Sequence, residues 1–287
     1  MTVNQEGEAP RVTVHAGLPK TASTYLQRFW FSRASSGRYI KKPEFRELVH
    51  GLSDEKASLL VSDESLSAHT QEADGGGGLR ARRLDVLATL LGDAQLLMFL
   101  REPSRLLASL YVQHIYRGEV RSFEEWLEEF REVGHYRPLL EAIQKQPWRA
   151  CLLFDQAQLK AEEDKVVGAI ERFTAMRFDG PQRTDKPISG NVGLARSGAR
   201  TLRWANRIKN RSAHQRSRVH TLSSALRVKP LCKLNEVGGP VVPADVCHEL
   251  EKYFAEEWRW TQEVIRESQL RVLPDSTRPN PLLSAGG

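Results

Sequence analysis

The chain has 287 residues, 40% hydrophobic and 27% charged, proportions that exclude a disordered or fibrous protein and allow a substantial buried core. The formal net charge of +6 is uneven: residues 186–235 hold 12 of the 42 Lys and Arg and no Asp or Glu, leaving 30 basic residues against 36 acidic ones elsewhere. Such a segment suits a polyanionic ligand, a nucleic acid or an acidic surface, and equally a solvated helical face.

The opening "MTVNQEGEAPR" has no apolar core, and the long apolar stretch from Leu84 to Leu100 is interrupted by Asp85, Asp93 and Gln95. Neither a signal peptide nor a membrane span is expected. The cysteines, Cys151, Cys232 and Cys247, are odd in number and widely spaced with no C-x-x-C pair. That argues against a disulfide framework and a zinc site, and predicts reduced thiols in a cytoplasmic setting.

In chain order, Val12–Ala16 predicts a strand and Ser23–Phe31 the helix after it. Between them "GLPKTAST" places Lys20 in a bend and Thr21, Ser23 and Thr24 at the helix start. Leu59–Ser62 predicts a second strand, ending at Asp63 and Glu64, and "EADGGGGLR" a flexible connection to a helix over Leu79–Leu91. Ala94–Leu100 predicts a third strand, followed by Arg101 and a helix over Ser104–Tyr116 with Leu106, Leu107, Leu110, Tyr111 and Ile115 on one face. Ser122 and Glu125 have capping-box spacing, and Ala150–Phe154 predicts a fourth strand. Past about Pro181 the strand signals stop; a basic helix over Leu194–Lys209, a polar loop and an amphipathic helix over Ala244–Ile265 complete the chain.

The strand runs are continuously apolar rather than alternating, as strands covered on both faces require. The expected fold is α/β, a parallel sheet between helices with right-handed crossovers and ligands at the carboxyl ends of the strands. One domain over 1–287 is expected, with a basic, mainly helical part from about residue 186.

A strand, a bend and a helix start turn backbone N–H groups toward an anion. With Lys20 and the hydroxyls of Thr21, Ser23 and Thr24, the bend is read as a phosphate cradle. It departs from the nucleoside-triphosphate motif G-x-x-x-x-G-K-[ST], since Lys20 follows Gly17 after two residues and no second glycine precedes it. A terminal 5′-phosphate without a metal fits such a loop better.

"GLPKTAST" resembles the 5′-phosphosulfate loop of the sulfotransferase family, P-K-[ST]-G-[ST]-[ST], which binds 3′-phosphoadenosine 5′-phosphosulfate (PAPS). By that match Lys20, Thr21, Ala22, Ser23 and Thr24 hold the 5′-phosphosulfate. Ala22 stands where the family has glycine, which a helical backbone at that position would tolerate. "LLMFLREPSRLLASLY", from Leu96 to Tyr111, resembles the family's 3′-phosphate motif, an arginine at a strand end and a serine eight residues later. Arg101 and Ser109 take those places; for Arg101 alone the plainer reading is an ion pair with Glu102. Three further segments resemble the family more weakly: the tyrosine-led stretch from Val133 with "ACLLFDQAQL", "GNVGLARSGARTLRWANRI", and "YFAEEWRW".

The resemblance implies a three-layer P-loop-type fold and transfer of a sulfuryl group from PAPS to a hydroxyl or amine of a small-molecule or glycan acceptor. Lys20 would neutralise the leaving oxygen, with no metal needed. Glu64 is the first choice for general base, since a partly desolvated carboxylate gains basicity; its alternative roles are a turn cap or a lysine partner. His15, more naturally a structural residue, and His114, one turn beyond Leu110 and free to point outward, compete for the role. Tyr25, Phe29, Trp30, Phe31 and Tyr39 are read mainly as helix-to-sheet packing. A kinase-like phosphotransferase is weakened by the missing G-K-[ST], and a nucleic-acid-binding scaffold by the lack of a recognisable motif. The residues give no oligomeric state.

Overall fold

The computed structural model describes residues 11–18, 20–42, 57–63, 78–91, 93–180, 196–211 and 240–272. Five strands form one parallel sheet: β1 (Val12–His15), β2 (Arg38–Lys41), β3 (Leu59–Ser62), β4 (Gln95–Leu100) and β5 (Ala150–Asp155), in the spatial order β2-β3-β1-β4-β5. Four are the strands read from continuous apolar runs. The fifth, β2, was not anticipated, because "RYIK" is short, charged at both ends and lies at the edge of the sheet with Arg38 and Lys41 exposed.

Strand β4 shows why both faces must be covered. Leu96, Met98 and Leu100 enter one apolar cluster, while Leu97 and Phe99 enter another on the opposite face. Against the first face pack α2 (Gly78–Leu91), α3 (Pro103–Arg117), α4 (Phe123–Phe130) and α5 (Arg137–Lys145). The second face receives α1 (Ser23–Phe29), α6 (Gln156–Ala161) and α7 (Glu163–Thr174). The result is the expected three-layer α/β sandwich.

Local chemistry sets several element ends. Ser122 Oγ accepts from the Glu125 N–H at 3.2 Å and the Glu125 carboxylate accepts from the Ser122 N–H at 2.7 Å, closing the capping box of α4. Helix α1 stops at Phe29, short of the expected Phe31, which opens a separate 3-10 turn. The basic helix, α8 (Arg196–Arg211), lies on α3, where the Asn206 amide donates to the carbonyls of Ile115 and Glu119 at 2.9 and 3.0 Å. Those bonds fasten α8 to the turn that ends α3, where the Ile115 carbonyl also accepts from the Gly118 N–H at 3.2 Å. The rest of the basic segment lies outside the described residues.

The final helix of the reading is two helices, α9 (Ala244–Tyr253) and α10 (Ala255–Val272). They part at Phe254, whose ring is fully buried against Gly134; a Cβ added at Gly134 would come within 2.7 Å of it. Helix α10 covers the β5 edge. Ser268 Oγ accepts from the Leu153 N–H at 3.1 Å, and the Gln269 amide donates to the Leu153 carbonyl at 2.9 Å. No described helix is long and apolar enough to cross a membrane, and Cys151 and Cys247 are free thiols.

Candidate functional site

Neighbouring strands β1 and β4 send their chains to opposite sides of the sheet, β1 toward β2 and β4 toward β5. A crevice opens at the carboxyl ends of such a pair, the place where ligands bind in open α/β sheets. Two segments flank it: the loop after β1, reaching α1, and Arg101 after β4.

The loop is built without glycine at its tightest points. Lys20 (φ 67°) and Ala22 (φ 68°) are both left-handed. The backbone at Ala22 is therefore not the right-handed helical conformation in which a methyl is tolerated, and each residue costs about 1–2 kcal/mol in this region. Surrounding contacts hold them there. Thr21, fully buried between them, donates its hydroxyl to the Leu18 carbonyl at 2.7 Å, and Leu18 is itself buried in the core. Left-handed residues on either side of Thr21 curve the backbone into the kind of concavity whose N–H groups receive anions. Ala22 is the N-cap of α1 and supplies no side-chain cap.

Ser23 Oγ, on a residue only 2% exposed, has no hydrogen-bond partner. An unmade bond of this kind costs about 1–3 kcal/mol, and in a folded protein it calls for an explanation. Thr24 is exposed on the first turn. The Thr21 hydroxyl has already committed its proton to Leu18, so toward an anion Thr21 offers backbone only.

The Arg101 guanidinium donates through Nη1 to the Lys20 carbonyl at 3.1 Å, joining the end of β4 to the loop after β1. Burial lowers the guanidinium below its ordinary pKa, yet an arginine stays charged at any working pH. The Arg101 carbonyl accepts the Tyr136 hydroxyl at 2.6 Å, and Tyr136 is fully buried. The N–H groups of Tyr136 and Arg137 both donate to Glu257 Oε1, at 2.8 and 2.7 Å. Glu102 is occupied elsewhere: its carboxylate accepts from the N–H groups of Ser104 and Arg105, each at 3.0 Å, and caps α3. Two turns along that helix lies half-buried Ser109.

His15 is fully buried, edge-on to Phe31 and Phe99, with Nδ1 2.7 Å from Ser62 Oγ, which also accepts the Gln27 amide at 2.8 Å. Burial pushes its pKa down to about 3. It is a neutral structural imidazole without access to an acceptor. His114 does not point outward: it is buried, accepts the Trp126 indole N–H at 3.0 Å and lies edge-on to Phe130. Asp63 follows β3, its N–H donating to the His15 carbonyl at 3.3 Å. Glu64 and the glycine run to Gly77 lie outside the described residues, as does Cys232.

No protein-family model matches the chain, and no curated protein matches it. Among solved structures it is similar to a sulfotransferase from Alicyclobacillus acidocaldarius, at 16% identity and a TM-score of 0.44, over 70% of this chain and 93% of that one.

Most of the aromatic residues after the loop pack rather than line a pocket. Phe29, Trp30 and Phe31 are buried, and Tyr39 lies against Phe31. The Tyr25 hydroxyl and the Trp30 indole N–H both donate to Glu163 Oε1, each at 2.6 Å, tying α1 to the start of α7. Burial and then the bond to Glu163 push the Tyr25 phenol up to about 12. Glu163 and Glu257 were given no role by the sequence, and Tyr136 was marked only as the head of a helix. Among the described residues no group of three or more His, Cys, Asp or Glu could hold a metal ion.

Proposed function

We propose that the chain is a PAPS-dependent sulfotransferase that uses the crevice between β1 and β4. The observation that carries this reading is the bond from Arg101 to the Lys20 carbonyl: two motifs 81 residues apart in sequence meet at one crevice within 3.1 Å. The loop offers a backbone concavity, one lysine and an unpartnered buried hydroxyl, which is the donor set a 5′-phosphosulfate takes. Arg101 and Ser109 offer a charge and a hydroxyl to a 3′-phosphate.

PAPS supplies an activated sulfuryl group. The acceptor oxygen or nitrogen attacks sulfur in line, and the bond from sulfur to the 5′-phosphate oxygen breaks. Adenosine 3′,5′-bisphosphate leaves, and the acceptor proton passes to a base. Lys20 neutralises the charge that grows on the departing oxygen, while Ser23 and the loop N–H groups hold the adjacent phosphate. Glu64, following Asp63 at the carboxyl end of β3, is the proposed base, and the acceptor is a small-molecule or glycan hydroxyl or amine.

The test is calorimetric titration with adenosine 3′,5′-bisphosphate and, separately, with ATP and magnesium. Binding of the bisphosphate is expected, with ATP much weaker and Lys20→Ala reducing the bisphosphate affinity. A preference for ATP, or no binding, would sink the reading. Once an acceptor is found by screening, Glu64→Gln should keep nucleotide affinity and lose turnover; retained turnover moves the base elsewhere.

A further inference from the structure

We propose that Arg101 is a positioning residue for the 5′-phosphate loop as well as a contact for a 3′-phosphate, so that the two ends of the nucleotide are read through one side chain. The inference rests on the function proposed above and concerns how its site is held.

Lys20 and Ala22 sit in a conformation that glycine would adopt freely and these residues do not. Among the described residues, the carbonyls of Leu18 and Lys20 each accept a side-chain bond. One is internal, from Thr21 to the Leu18 carbonyl. The other comes from outside the loop, from Arg101 to the Lys20 carbonyl, the carbonyl of a left-handed residue. Arg101 can act as a fixed post because its own backbone is pinned: its carbonyl accepts the hydroxyl of Tyr136, whose N–H is in turn held by Glu257 of α10.

A guanidinium carries five N–H groups in a rigid fork. One donated to Lys20 leaves others for an anion, so Arg101 can hold the loop and bind a 3′-phosphate together. A residue that only recognised the 3′-phosphate would not affect a ligand lacking that group. A residue that holds Lys20 must affect it.

The experiment compares adenosine 5′-phosphate with adenosine 3′,5′-bisphosphate by calorimetry on the wild-type protein, Arg101→Ala and Arg101→Lys. Adenosine 5′-phosphate is expected to bind about tenfold more weakly to Arg101→Ala, the scale of one charge-assisted hydrogen bond. The bisphosphate should lose more, since it also loses its 3′ contact. Far-UV circular dichroism establishes that the variant is folded. Arg101→Lys keeps a cation and most of the stem packing, and carries the same comparison should the alanine variant fail to fold. Unchanged affinity for adenosine 5′-phosphate, with the bisphosphate weakened, overturns the positioning role and leaves the proposed function standing. A wild-type protein that binds neither nucleotide overturns both.

Discussion

Ser23 keeps a buried hydroxyl that bonds to nothing, and its cost falls on folding whatever later fills the site. Ser23→Ala removes that unsatisfied group, so the variant should be as stable as the wild type or more stable by roughly 1 kcal/mol. Its affinity for adenosine 3′,5′-bisphosphate should fall about tenfold. Thermal denaturation and calorimetry check the pair, and a variant that is destabilised with unchanged affinity would make Ser23 a packing residue. Lys20, Thr21 and Ser23 could be named from the sequence as a candidate phosphate loop because the parts of such a loop are local, set within a few residues by one bend. The loop's backbone was not legible, since a helical conformation was expected at Ala22 while the left-handed positions fell on Lys20 and Ala22. Tyr136 was legible only as the head of a helix; its bond to Arg101 spans 35 residues, and no spacing rule reports such a contact.

At the junction of β1, β3 and α1, a buried chain from His15 through Ser62 to Gln27 ties the elements together. The His15 imidazole has a pKa of about 3 in the fold and an ordinary value of 6.5 unfolded. The unfolded chain therefore binds the extra proton between those values. Stability is fully present above pH 6.5 and declines as pH falls toward 3, at up to about 1.4 kcal/mol per pH unit. Urea denaturation across this range should show the slope, and His15→Asn, which carries no charge at any pH, should flatten it. An unchanged slope would assign it to other groups. The strands were readable at this scale because a parallel sheet buried on both faces writes itself as unbroken apolar runs. Strand β2 was not, being four residues with charges at the ends. The break between α9 and α10 was hidden because it depends on Phe254 meeting Gly134, which lies 120 positions earlier.

Across the whole molecule, α10 completes the sheet by hydrogen bonds rather than by packing alone. Gln269→Ala would leave the Leu153 carbonyl without its partner and remove the bond to Gln158. A loss of about 1–3 kcal/mol is expected, lowering the melting temperature by several degrees in a chain of this size. Exposed Arg271, two positions on, serves as the control, and Arg271→Ala should change little. Equal effects from the two variants would mean that the edge bonds contribute nothing specific.

Those same bonds bear on how the protein behaves when concentrated. Leu153 turns its N–H and carbonyl away from β4, the pair of groups a strand from another molecule would seek, and Ser268 and Gln269 already occupy both. At the other margin, β2 is four residues long and presents Arg38 and Lys41, so two copies meeting there would set like charges side by side. Aggregation by strand stacking is thus blocked at one border by bonds and discouraged at the other by repulsion, and loosening α10 would open the first border to fibril growth.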